Sequence, residues 1–290
     1  MSRTSDGLGL GRPVAATTLV EDRVLRWLGR AFTLAALTGM ILFGSYIVLR
    51  AVGATPRNFG QWRMLVSGAP LLTAKDWIAN LGIGMHFVMG TVLVLAWPIL
   101  LSAHIRARYR QVHRWTGRVY VSAGFLAGTG GLSFILTHGA YSQAASIAFG
   151  IWGLVMMVCA VMAYLHARAK RFDRHRAWAL RLFAMVLGSW VFDLEIRAWH
   201  DLTGGLGVGA GSTSGPFDYA ILYLFFVPNL LVAEFFIRNL HKRVRLPHAW
   251  RWPAVAALAA ACLVFGYAII ATTALPGGKF GKHLLAWLGG

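Results

Sequence analysis

From Val119 to Ala167 the chain carries no Lys, Arg, Asp or Glu. A helix needs only about 20 apolar residues to cross the hydrocarbon core of a bilayer. This stretch is far longer, so it must cross, turn and cross again. Thr137 to Ser142, rich in Gly and small polar residues, supplies the turn. In lipid the backbone must satisfy its own polar groups, which leaves helices or a closed barrel. Long unalternated apolar runs select helices. With 57% hydrophobic residues, 13% charged residues and a mean hydropathy of +0.59, the rest of the chain follows suit.

The expected fold is an all-α integral membrane protein with seven transmembrane helices. They are expected near residues 31–49, 77–103, 115–137, 145–165, 178–199, 219–237 and 253–275. A tail of residues 1–30 precedes the single membrane domain 31–275, and a short tail 276–290 follows it. The segments 23–30, 104–114, 166–176 and 238–251 are rich in Arg and Lys. The connections 51–76, 138–144 and 198–218 are poorer, with Arg50, Arg57 and Arg63 as exceptions. The positive-inside rule then puts the N-terminus in the cytoplasm and the C-terminus outside. No cleavable leader is evident in the first thirty residues. Trp77, Trp97, Trp115, Trp178, Trp199, Trp250 and Trp252 fall near span ends, as interface anchors do. The Gly/Ser-rich stretch Gly204 to Gly215 is expected as a flexible outer loop.

The net charge of +18 would point to nucleic acid in a soluble chain. Here the excess sits between apolar runs, where it faces anionic lipid, and nucleic acid is excluded as a partner. Cys159 and Cys262 lie inside apolar runs at no metal-binding spacing. No phosphate-cradling loop, zinc helix or nucleophile elbow is present.

The basic turns carry an internal echo. His104-Ile-Arg-Ala-Arg returns sixty-two residues later as His166-Ala-Arg-Ala-Lys. The same offset carries His113-Arg114 onto His175-Arg176 and His138 onto His200. Spans two and three thus map onto four and five, as repeat units 77–138 and 139–200. They form a duplicated four-helix core over residues 77–200. Gly117, Gly124 and Gly131 recur every seven residues with Gly128 and Gly130 beside them, a spacing that lets helices approach closely.

Histidines bracket this core. His104, His113, His166 and His175 form an inner set amid Arg residues, suited to interfacial duty. His86, His138 and His200 form an outer set. His86 lies well inside its span, nine residues or ~14 Å past the outer edge. Gly82 and Gly90, one turn to either side, are expected to clear room for a flat macrocycle or a neighbouring helix. Ionisable groups in hydrocarbon are costly and usually face the bundle interior, so His86 is the first functional candidate. Asp193, Glu195 and Arg197 follow as candidate catalytic residues in span five. Asp193 and Arg197 are one turn apart and can neutralise each other. Glu195 points away and needs another partner, for which His86, Arg50, Arg57 and Arg63 are candidates. Glu234 and Arg238 form a second one-turn pair.

His113-Arg114-Trp115-Thr116-Gly117-Arg118-Val119-Tyr120 resembles the His-Arg-x-x-Gly-Arg-x-Tyr signature of the bacterial membrane-protein family called domain of unknown function 2306. Arg174-His175-Arg176-Ala177-Trp178-Ala179-Leu180-Arg181 resembles its second signature, Arg-His-Arg-x-Trp-x-x-Arg. The resemblance covers roughly residues 80–200 and implies a bacterial inner-membrane protein without an assigned activity. The four-helix, His-bearing layout is more loosely similar to transmembrane cytochromes b. That similarity implies haem b at His86, with His138 or His200 as the second metal ligand, in electron transfer or quinone chemistry. The alternatives are a proton-coupled transporter of a small solute, and a non-catalytic subunit or assembly partner of a larger membrane complex. A transporter is disfavoured because Pro98 and Pro228 promise single kinks rather than broken helices.

Overall fold

The computed structural model describes residues 14–53, 77–140, 142–209, 214–239 and 248–273. The helices are α1 (Val14–Gly53), α2 (Trp77–Leu101), α3 (Ala103–Arg108), α4 (Arg110–His138), α5 (Gln143–Arg168), α6 (Phe172–Thr203), α7 (Pro216–Leu224), α8 (Val227–Asn239) and α9 (His248–Thr273). No strand occurs among the described residues. Arg57, Arg63 and the tail 276–290 lie outside them.

Five stretches among the described residues are long and apolar enough to cross a membrane. They are Arg23–Leu42, Trp77–Leu101, Arg110–His138, Gln143–Arg168 and Pro216–Glu234. The chain is therefore a helical membrane protein. The remaining two expected spans coincide with α6 and α9, of 32 and 26 residues.

Local chemistry explains the turns. Gly139 has φ 79°, a conformation that glycine adopts without a Cβ penalty. Beyond it the Ser142 hydroxyl accepts from Ala145 N at 3.1 Å and caps α5. Ser146 Oγ accepts from Ala140 N at 2.8 Å, so the turn fills its own orphan donors. On the other side, α5 closes when the His166 carbonyl accepts from Arg171 N at 2.9 Å. The two basic turns differ. The first holds the extra helix α3, capped by Ser102 accepting from Ile105 N at 3.2 Å, whereas α6 follows α5 directly.

Pro228 kinks its span as expected: α7 ends at Leu224 and α8 begins at Val227, while Phe225 between them keeps αR backbone and its N–H bonds the Ile221 carbonyl at 3.0 Å. Proline has no N–H for the carbonyl of Leu224, so the ladder loses a bond there. Pro98 stays within continuous α2. The Gly/Ser-rich loop expected to be flexible has its described residues tied down. Asp218 Oδ2 accepts from Gly209 N, Ser214 N and Gly215 N at 3.0, 3.2 and 2.8 Å. Trp199 Nε1 donates to Leu206 O at 2.7 Å, and its ring stacks on Phe217 at 4.6 Å.

In the bundle α2 packs most extensively on α4, α4 on α5, and α5 on α6, with α8 against α6 and α1 against α9. Leu93, Met156, Cys159, Leu182, Met185 and Phe225 are fully buried at the centre. Trp77, Trp115 and Trp252 are exposed as interface anchors should be, but Trp97 is buried against Phe183. Glu234 on α8 takes Arg181 of α6, with Nη2 at 2.7 Å and Nε at 3.2 Å from the same oxygen. The expected partner Arg238 has no described side chain.

The tightest helix contact is α2 on α4. A Cβ on Gly82 would stand 2.7 Å from the Gly130 carbonyl, and one on Gly130 would strike the Gly82 carbonyl. Only glycine fits both sides, and backbone cannot retreat as a side-chain tip can. Gly130→Ala is therefore expected to cost about 1–3 kcal/mol. This should appear as a lowered thermal midpoint in detergent, while Gly84→Ala, facing open space, leaves the midpoint unchanged or raised. Equal midpoints for the two variants would contradict this packing.

Candidate functional site

The glycine contact brings the middle of α2 against α4 and delivers His86 to the α4 backbone. His86 Nδ1 lies 2.8 Å from the carbonyl of Ala127. A carbonyl can only accept, so Nδ1 carries the proton and donates. In the helix ladder that carbonyl also serves the N–H of residue 131. Residue 131 is glycine, and a Cβ there would sit 3.0 Å from Nδ1. Gly131 is thus the opening through which imidazole reaches the backbone. An isolated imidazolium would be an unpaired charge in hydrocarbon, so the neutral ring is the form that packs. In that form Nε2 holds a lone pair and no proton.

His86 borders a half-open cavity of about 200 Å³ lined by residues of α2, α4, α5 and α6 and by Phe225 between α7 and α8. Its walls are apolar and largely aromatic, including Phe87, Phe149, Trp152, Phe192 and Phe225. The imidazole meets Phe87 edge-on at 5.7 Å and Trp152 at 6.3 Å. Phe225, seated at the helix kink, touches Phe149, Trp152 and Phe192 at 6.1, 5.6 and 5.1 Å. Gly90 lines the cavity with open space at its missing Cβ.

Three lining side chains carry an N–H or O–H, and each donates to backbone. His86 Nδ1 serves Ala127 O. Trp152 Nε1 serves Met185 O at 3.2 Å, and the Ser189 hydroxyl serves Val186 O at 2.8 Å. What remains available at the walls is acceptor capacity, on His86 Nε2 and Ser189 Oγ.

The other candidates are placed elsewhere. His138 ends α4, eleven residues beyond Ala127, which is ~16 Å along the helix. It packs on Phe134 at 5.3 Å. His200 lies eleven residues beyond Ser189 on α6, again ~16 Å, in the last turn beside Gly205 of the outer loop. The structure therefore does not bring His138 or His200 to His86. Among the described residues no three His, Cys, Asp or Glu side chains group to hold a metal. The cavity lining holds one histidine among the described residues, so it does not offer haem a bis-histidine pair. Gly82 clears room for helix α4 rather than for a macrocycle.

Glu195 sits one turn beyond Phe192 along α6, with Oε2 buried and lacking a hydrogen-bond partner among the described residues. The side chains of Asp193, Arg197 and Arg50 lie outside the described residues. At the inner end, His175 Nδ1 donates to Ala163 O at 2.8 Å, as His86 does to Ala127. His113 Nδ1 is buried without a partner among the described residues, and His104 is exposed beside Tyr109. Trp115 and Trp178 each receive the Arg one turn on, Arg118 and Arg181, at 4.7 Å over the ring.

Sequence reasoning found His86 but missed Ala127, Trp152, Ser189 and Phe225. Apolar residues in a membrane chain give no signal that separates a cavity wall from a lipid-facing surface. The kink at Phe225 was foreshadowed only by Pro228.

No curated protein and no solved structure shows a significant match to the chain. A family model described as a predicted membrane protein, DUF2306, matches residues 83–237, from the turn before His86 to the end of the α8 ion-pair region. The chain thus belongs to this family of predicted membrane proteins, domain of unknown function 2306.

Proposed function

We propose that the protein is a seven-span protein of the bacterial inner membrane that binds the head group of a lipid-soluble, quinone-class molecule in the His86 cavity. The observation that carries this reading is the cavity itself, apolar and aromatic, about 200 Å³ in volume and bordered by one imidazole within the span α2. A 150 Å³ apolar cavity accepts benzene. One six-membered ring therefore suits the space, flanked by Trp152 and Phe225. Such a ligand reaches the site laterally from lipid, and no aqueous channel is required.

In this reading α6 and α9 are the fifth and seventh spans, and the N-terminus is cytoplasmic. The Trp-x-x-Arg contacts at Trp115 and Trp178, one residue off the sixty-two-residue register, support a duplicated core. Glu195 lies outward of the cavity, where a proton leaving a bound ligand would next find a base. No enzymatic step is assigned.

Haem b stands below this reading. Its second ligand would have to come from His138 or His200, each ~16 Å along its helix from the cavity level. The transporter reading gains only the α7–α8 kink beside the cavity, and no polar path accompanies it among the described residues.

Two measurements test the proposal. Titration of purified protein with a short-tailed benzoquinone and with its quinol, followed by Trp fluorescence, is expected to show single-site binding of at least one. Gly90→Val, which fills the cavity, should weaken that binding about tenfold or more. Failure of both forms to bind would overturn the proposal. In addition, protein produced with added haem precursor is expected to lack a Soret band that depends on His86. A bis-histidine spectrum abolished by His86→Ala would restore the haem reading.

A further inference from the structure

Resting on the quinone-class reading, we infer that the cavity selects the reduced, hydroxyl-bearing form of its ligand and discriminates against the oxidised form. The ground is the hydrogen-bond inventory of the wall. A bound ring with carbonyl oxygens offers acceptors only, and it would need donors from the protein. None of the described lining side chains has one free. The His86 proton is held on Nδ1 by the Ala127 carbonyl, the indole N–H of Trp152 by Met185 O, and the Ser189 hydroxyl proton by Val186 O.

A ring bearing hydroxyls reverses the match. Its O–H donates to the lone pair of His86 Nε2, and Ser189 Oγ supplies a second acceptor on the α6 wall. The assignment of the His86 proton is not free to adapt. Moving it to Nε2 would set the Nδ1 lone pair against the Ala127 carbonyl at 2.8 Å, two acceptors facing each other. The partner is a backbone atom in mid-helix, so it cannot rotate away. Ser189 is similarly constrained, because turning its hydroxyl toward the ligand forfeits the bond to Val186 O. The polarity of the site is thus set by helix backbone.

The same logic gives a test independent of redox chemistry. A para-alkylphenol and its methyl ether have nearly the same shape, and only the phenol can donate. Against purified protein in detergent, the phenol is expected to bind about tenfold or more tightly than the ether, the difference that one net hydrogen bond in an apolar site supplies. The benzoquinol should likewise exceed its quinone. Ser189→Ala should weaken binding of the quinol, which has a second O–H to place, and leave the phenol-to-ether ratio unchanged. Equal affinity for phenol and ether, or tighter binding of the quinone than of the quinol, would overturn this inference while leaving the quinone-class reading in place. Binding of none of the four probes would overturn both. The comparison is made on the unaltered protein, so it does not depend on a His86 variant that folds.

Discussion

The hydrogen bond from His86 Nδ1 to the Ala127 carbonyl links the packing of the bundle to the chemistry of its cavity. It forms only because α2 and α4 touch backbone to backbone at Gly82 and Gly130, and because residue 131 has no side chain to block the ring. In lipid there is no hydrophobic force between helices, so close packing and interhelical hydrogen bonds hold them together. One interaction therefore does two things. It secures the α2–α4 pair, and it fixes which imidazole nitrogen carries the proton.

The rest of the site follows from that contact. With α2 held close to α4, the bulky walls come from the other side, from α5, α6 and the kinked α7–α8 segment. Phe225 fills the centre of an aromatic cluster where Pro228 removes a bond from the helix ladder. The outer loop reinforces this arrangement. Asp218 gathers three backbone N–H groups at the start of α7, which anchors that short helix where a longer one would rely on its own length. The Arg181–Glu234 pair anchors the inner half of the same kinked segment to α6. A kinked helix is thus pinned on both sides of the cavity.

Much of the fold was legible in the sequence because membrane physics is blunt. The uncharged run Val119 to Ala167 demanded a hairpin, and its turn lies at Gly139 to Ser142 as the small polar residues required. His86 stood out because an ionisable side chain in hydrocarbon is costly. The association of Gly82 with close packing was also readable, although its neighbour is helix α4. What sequence could not reveal was lateral geometry. Sequence position groups His138 and His200 with His86 on one side of the core. Counted along α4 from Ala127 and along α6 from Ser189, they lie near the outer ends instead. Trp152, Ser189 and Phe225 carried no signal because periodicity reports which face is apolar, not which apolar face encloses space. The echoed histidines of the basic turns, the most visible pattern, lie outside the cavity lining, which includes His86, a histidine without a counterpart in that echo.

The central claim is the protonation pattern of one imidazole, and nitrogen NMR of the protein labelled at its histidines reads it directly. His86, identified by its loss in His86→Ala, is predicted to appear as the neutral ring with the proton on Nδ1 and a bare Nε2. The Nε2 resonance should then move when a phenol is added and stay still with its methyl ether. A His86 resonance with the proton on Nε2, or one indifferent to the phenol at saturating concentration, would contradict the account.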